Sequence, residues 1–244
     1  MKYGILGDIH GNLSALQEAI RSLDEEKVDV LISVGDVVGY GAAPSECIEI
    51  LASREAVVVK GNHDAACAGE LDDLAFNPYA RAAVAWTQAR LNREEVDWLR
   101  GLPMTADLEH CQVAHGTLHR PELYDYVLSI TDADPSLEDQ QRLVCFVGHT
   151  HVPLTVVRLR EDPSVSAYAF DAELELDEVA KALVNVGSVG QPRDEDPRTA
   201  FAIYDTSERK IWLRRREYDI QAEADRIRRA GLPDVLADRL ALGV

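Results

Sequence analysis

Five times in its first 151 residues the chain runs through a short apolar stretch and then sets an Asp, Asn or His beside a glycine. The stretches are GILGDIH at 4–10, ISVGDVVG at 32–39, VVVKGNHD at 57–64, QVAHG at 112–116 and FVGHTH at 146–151. Short apolar runs stopped by glycine read as buried strands. Residues just past strand ends in layered α/β folds project into a shared crevice, so five separate segments can deliver side chains to one point. The histidines agree. Five of the seven, His10, His63, His115, His149 and His151, occupy these positions, and only His110 and His119 do not.

Between the first strands (3–6, 30–34 and 56–59) the pattern turns helical. Asn12 is a good N-cap, and Leu13, Leu16, Ala19, Ile20 and Leu23 follow at spacings of three and four, one apolar face for a sheet. Pro44 and Pro78 open helices expected over 44–53 and 78–92. The later half holds strand-like runs at 111–114, 143–147, 154–159, 165–170, 200–204 and 211–216 with fewer helices between them, which points to a second sheet. The expected fold is α/β, a four-layer α/β/β/α sandwich of two mixed sheets flanked by helices. Residues 1–217 make that sandwich. Residues 218–244 read as a tail of two helices (220–230 and 233–242) packed on the same domain.

A chain of 244 residues with 46% hydrophobic content can bury a sizeable core. Its formal charge of −18 repels polyanions, so nonspecific nucleic-acid binding is not expected and a small phosphorylated substrate is. No apolar run approaches the roughly 18–20 residues of a membrane span, and no signal-peptide pattern follows Met1, so a cytoplasmic protein is expected. Cys47, Cys67, Cys111 and Cys145 are scattered without a CxxC pair, as reduced core thiols would be.

Asp8 and His10, if extended, point to the same side and reach one ion together. His149 and His151 share that spacing and either bind one ion or straddle two. Asp36 offers a carboxylate able to bridge a pair. Imidazole, carboxylate and amide oxygen suit Mn, Fe, Zn or Co. Two divalent ions, two carboxylates and a hydroxide leave the cluster about +1, attractive to phosphate. Ions roughly 3.5–4 Å apart clamp a phosphoryl group and activate water, so no Ser or Cys nucleophile is needed. His63 is read as general acid or transition-state stabiliser. Asp64 either orients it or caps the next helix. Arg193 beside Asp194, Glu195 and Asp196 is expected in a surface salt bridge rather than on a phosphate. His119 and Arg120 line the substrate mouth or a solvated loop. Tyr40, between Gly39 and Gly41, is a lesser candidate for stacking on a substrate ring from a flexible loop.

Taken in order, GDIHGN, GD, GNHD, HG and GHTH resemble the five-part signature of the calcineurin-like metallophosphoesterase superfamily, and NVGSVGQPRD at 185–194 resembles a loop near the end of its catalytic core. The resemblance implies that Asp8, His10, Asp36 and His151 hold one metal and Asp36, Asn62, His115 and His149 the other, with Asp36 bridging. It implies hydrolysis of a phosphodiester, nucleotide or small-molecule phosphate through a hydroxide bridging the two ions, with diesters favoured. GDVVGYG and GNHD lack the Arg and Glu that the superfamily's serine/threonine protein phosphatases carry there, which weakens that reading. A metal-bearing scaffold without turnover is the other alternative, and His63 favours an enzyme.

Overall fold

The computed structural model describes residues 1–72 and 76–244. Two six-stranded mixed sheets pack face to face. The first runs β3 (Val57–Val58), β2 (Val30–Ser33), β1 (Lys2–Leu6), β11 (Thr199–Asp205), β12 (Lys210–Arg216), β9 (Glu173–Glu175). The second runs β4 (Thr105–Asp107), β5 (Cys111–Ala114), β6 (Val144–Val147), β10 (Val179–Asn185), β7 (Leu154–Leu159), β8 (Ser166–Ala169). Each sheet holds a parallel triplet, β1 with β2 and β3, and β5 with β6 and β10. Side-chain alternation sorts the layers. Tyr3 and Ile5 of β1 meet Val144 and Phe146 of β6 between the sheets. Leu6 of β1 and Phe201 of β11 face outward to α1 (Leu13–Glu25), while Cys145 and Val147 face α6 (Ile130–Asp139). Each fully buried Ile or Phe stabilises by about 1.5–3 kcal/mol, so the inter-sheet layer holds the sandwich shut.

The expected four-layer sandwich is therefore present, with α2 (Pro44–Ser53), α3 (Asn62–Cys67), α4 (Pro78–Gln88) and α5 (Arg93–Gly101) completing one side. Several elements differ from expectation, and α5, β4 and β9 lie outside the expected runs. The 78–92 helix stops at Gln88. Helix α6 carries Pro135 inside it, a residue that argues against a helix interior. Strand β10 reads VAKALVN, with apolar residues at 179, 182 and 183 in helical rather than alternating order, because its second half is buried on both faces.

The tail forms α7 (Ile220–Arg229), α8 (Asp234–Asp238) and a final 3-10 turn, Arg239–Ala241. Ala224, Ile227, Leu232, Leu236 and Leu240 pack with Tyr40 and with Ala80 and Ala83 of α4. Glu223, fully buried, accepts hydrogen bonds from Ser14 N (3.2 Å) and Ser14 Oγ (3.0 Å) at the start of α1. All four cysteines are free and buried. Among the described residues no helix is long and apolar enough to cross a membrane.

Candidate metal centre

The segments that leave β1, β2 and β6 do not stay extended. Asp8, His10, Asp36, His149 and His151 have φ of 49°, 51°, 53°, 71° and 62°. This corrects the sequence argument for Asp8 and His10: they face one point because the chain coils left-handedly there, not because an extended strand alternates. Asp, Asn and His are the non-glycine types most often found in that region, and each such residue costs of order 1–3 kcal/mol unless its surroundings hold it. The surroundings do so. Asp8 N, His10 N and Gly11 N donate to Gly35 O (3.2 Å), Asp36 O (2.9 Å) and Val37 O (2.9 Å), binding the loop after β1 to the loop after β2. The backbone N of His149 donates to both carboxylate oxygens of Asp8 (3.1 and 3.0 Å), tying the second sheet to the first.

Asp8, His10, Asp36 and His151 converge in one buried group, and Asp36, His115 and His149 in a second, with the potential ligand atoms of each within 4.8 Å of one another. Asn62 Oδ1 lies 3.2 Å from His115 Nε2, beside the second. His149 and His151 thus fall in different groups. Three rings are fixed from behind: Nδ1 of His10, His115 and His151 faces Val38 O (3.0 Å), Val34 O (2.8 Å) and Gln191 O (2.6 Å). A carbonyl only accepts, so the neutral rings carry their hydrogen on Nδ1 and present the Nε2 lone pair inward.

The donor set fits divalent transition metals on two observations. His10 Nε2 and His151 Nε2 stand 3.1 Å apart with lone pairs facing, an arrangement a cation relieves. Asp36 Oδ2 is buried without a hydrogen-bond partner among the described residues, although His10 Nε2 and His115 Nε2 each lie 3.5 Å from it. Protonation responds to the same crowding. Burial, with the Asp36 charge adding, pushes the Asp8 carboxyl up to about 7. Burial also raises Asp36, but the His115 and His63 imidazoles overcome it and hold its carboxyl well below the usual range. Burial lowers His10 and His151 far below the ordinary imidazole value. It pulls His115 the same way, yet Asp36 reverses the effect and lifts His115 to about 9.

Glycines in the motifs make room for these atoms. A Cβ on Gly61 would land on Asp36 Oδ1, and one on Gly148 would sit 2.5 Å from Asp8 Oδ2. In both places the ligand from another segment occupies the space of the missing side chain.

His63 is buried with its ring stacked on Phe76 (centroids 4.8 Å, 17°) and close to those of Tyr40 (4.5 Å) and His10 (4.8 Å). Burial lowers it to about 4, so it is neutral near pH 7. The reading of Asp64 as its orienting partner is overturned: His63 Nδ1 has no hydrogen-bond partner among the described residues. The Asp64 carboxylate instead accepts four backbone N–H groups, from Asp36 (2.8 Å), Gly61 (3.0 Å), Val37 (2.9 Å) and Val38 (3.2 Å). It caps α3, the other role considered for it, and also clamps the loop that carries Asp36.

A cavity of about 510 Å3 opens beside these groups, lined by Asn62, His63 and His149 and by Tyr40, Phe76, Tyr124, Tyr126, Leu123 and Arg193, among others. Tyr126 stacks on His149 at 4.0 Å. Arg193 is not in the expected surface salt bridge. Asp194 pairs with Arg215 and Asp196 with Arg198, leaving Arg193 to turn toward Tyr40. Tyr40 is buried rather than on a loose loop. His119 pairs with Asp139 (2.7 Å) and, with Arg120, lines a different depression. Phe76, Tyr124 and Tyr126 were not legible as site residues, because nothing local marks an aromatic in a loop.

The sequence profile of the calcineurin-like phosphoesterase superfamily domain matches residues 1–209. An uncharacterised protein of Methanocaldococcus jannaschii is 32% identical over 243 residues, 98% of this chain and 97% of its own length. The crystal structure of a metallophosphoesterase from Sphaerobacter thermophilus superposes with a TM-score of 0.86 at 36% identity, covering 100% of both chains. A hypothetical protein of Pyrococcus horikoshii shares the fold with a TM-score of 0.81 at 22% identity, over 100% of this chain and 98% of that one.

Proposed function

We propose that this chain, which belongs to the calcineurin-like phosphoesterase superfamily, hydrolyses a phosphodiester of a small molecule or nucleotide at a centre for two divalent transition-metal ions. Asp8, His10, Asp36 and His151 would hold one ion, and Asp36, Asn62, His115 and His149 the other. The observation that carries this reading is Asp36 Oδ2, buried without a hydrogen-bond partner among the described residues and equidistant, at 3.5 Å, from imidazoles of the two groups. When bound, the ions would supply Lewis acidity at the phosphoryl oxygens and a nucleophile from water at neutral pH.

The chain's own residues do the rest. Val38 O, Val34 O and Gln191 O fix the tautomers of His10, His115 and His151. Asp64 holds the Asp36 loop in its left-handed form through backbone N–H groups, so it acts as a positioning residue. His63 lines the cavity with Nδ1 sealed against Gly39, which leaves the Nε2 edge for the substrate. As a neutral ring with its hydrogen on Nε2 it donates to a phosphoryl or leaving-group oxygen where negative charge develops. The cavity accommodates a second ester group, which supports a diester over a monoester. Residues 1–217 are taken as the catalytic unit and 218–244 as a tail packed on it.

Turnover of bis-p-nitrophenyl phosphate against p-nitrophenyl phosphate, with Mn, Fe, Zn or Co, tests the reading. Faster turnover of the diester is expected. Absence of activity on both with every ion would sink it.

A further inference from the structure

One side of the cavity carries charge that ester hydrolysis alone does not require. Arg193 lines it, and its hydrogen-bond partners among the described residues are neutral: Nη2 reaches Gln191 Oε1 at 3.0 Å and Tyr40 Oη at 3.4 Å. Its backbone N donates to His151 O at 3.3 Å, which anchors it next to the metal centre. Arg239, from the last turn of the tail and outside the 1–209 family match, lies with its guanidinium 4.6 Å from the Tyr40 ring centroid. Its Nε and Nη2 are buried with no acceptor among the described residues. Burial and the neighbouring Arg193 charge pull Arg239 down to about 10.

Two guanidinium groups thus converge on one tyrosine. In a chain of net charge −18, carboxylates are plentiful, yet among the described residues none is paired with either. Arg239 Nε and Nη2 are buried and Arg193 is half-buried, and like charges held together without a counter-ion are costly unless something else neutralises them. The planar fork of arginine matches phosphoryl oxygens, and that of Arg193 stands in the cavity wall beside the metal centre. We propose that Arg193 binds a second phosphoryl group of the substrate, adjacent to the one that is cleaved. Arg239 is a positioning residue: stacked on Tyr40, it keeps Arg193 turned into the cavity. The substrate class is therefore an ester with two linked phosphoryl groups, and Phe76, Tyr124 and Tyr126 in the same lining suit a planar ring on its far end. This rests on the metal centre being a phosphoesterase site.

The test has a binding arm and a turnover arm. Calorimetry on the full chain loaded with Mn in fixed excess compares Kd for thymidine 5′-monophosphate and thymidine 5′-diphosphate. Turnover compares kcat/KM for their p-nitrophenyl esters. A preference of at least about tenfold for the diphosphate is expected in both arms. In Arg193→Gln that ratio should fall to about twofold or less, with Arg193→Lys intermediate. Arg239→Gln should raise KM for the diphosphate ester while kcat holds, and Arg239→Lys should recover part of the loss. Equal Kd values in the unsubstituted protein, or an equal loss for both ligands in Arg193→Gln, overturns the proposal. A diphosphate preference in binding without hydrolysis supports it while removing the phosphoesterase reading. Hydrolysis without the preference does the reverse.

Discussion

Gly61→Ala adds one methyl group at the most crowded point of the centre. The backbone tolerates it, since Gly61 has φ −88° and ψ 170°, an extended conformation any residue adopts. The methyl would overlap Asp36 Oδ1 and lie 2.7 Å from Asp36 Cγ. Restoring ordinary contact needs the carboxylate to retreat by at least about 1 Å and the Asp36 backbone N, which the methyl would also overlap, to shift with it, and a displacement of that size at a reacting centre costs on the order of 100-fold in rate. The retreat also breaks the bond from His63 N to Oδ1 (2.9 Å) and takes Oδ2 away from its place between the two groups of imidazoles. Stability changes less. Overpacking costs about 1–3 kcal/mol, and the restricted unfolded chain returns about 0.4–1 kcal/mol, so the net loss is about 0–2.6 kcal/mol, or up to about 10 °C in Tm. Metal per chain by mass spectrometry, kcat/KM on bis-p-nitrophenyl phosphate and a thermal melt would be measured together. Gly101→Ala, whose Cβ meets nothing within 4 Å, is the control. The reasoning is refuted if Gly61→Ala retains two ions and turns over within about threefold of the unsubstituted protein.

Three further outcomes are expected. His63→Ala should keep both ions while kcat falls about 10²–10⁴-fold, and turnover within about fivefold would remove the ring from the chemistry. Metal affinity should rise with pH, because below about 9 an ion must displace the His115 proton and below about 7 the Asp8 proton as well. The expected slope is about tenfold per pH unit between 7 and 9, steeper below 7 and flat above 9, and a competition titration flat from pH 6 to 9 would contradict it. Glu223→Ala should destabilise the protein to urea by about 2 kcal/mol by stranding Ser14 N at the start of α1, whereas Glu223→Gln, which keeps an acceptor, should lose less than half as much. Equal losses in the two variants would rule out the anchoring role.

Periodicity carried the fold where burial has one sense. Helix α1 and strands β1 and β2 are plain in the sequence because a single face of each is apolar or the run is short and continuous. It failed at α6, whose capping by Ser129 and docking on the second sheet outweigh Pro135. It failed again at β10, where doubly buried residues erase alternation. The same division runs through the site. Residue types and their glycine neighbours marked Asp8, His10, Asp36, Asn62, His115, His149 and His151, and the structure gathers them. The left-handed backbone of Asp8, His10, Asp36, His149 and His151 was not readable, since φ depends on hydrogen bonds between loops far apart in sequence. Asp64 illustrates the limit: a carboxylate next to His63 in sequence spends its oxygens on Asp36, Val37, Val38 and Gly61. Arg193 was misread for the opposite reason, because Asp194 and Asp196 beside it are taken by Arg215 and Arg198.

The hydrogen bond from His115, on the second sheet, to Val34 O, just past β2 of the first, makes the centre a gauge of how the two sheets sit on each other. Metal ligation tolerates errors of about 0.2 Å, while a hydrophobic core repacked with residues of similar volume loses its single arrangement before it loses its stability. A conservative exchange at Phe146 or Ile32, far from solvent and outside both ligand groups, would let one sheet creep along the other. Such a chain would still melt cooperatively and would bind its ions loosely. In this sandwich, drift in an ordinary core is felt first as lost chemistry.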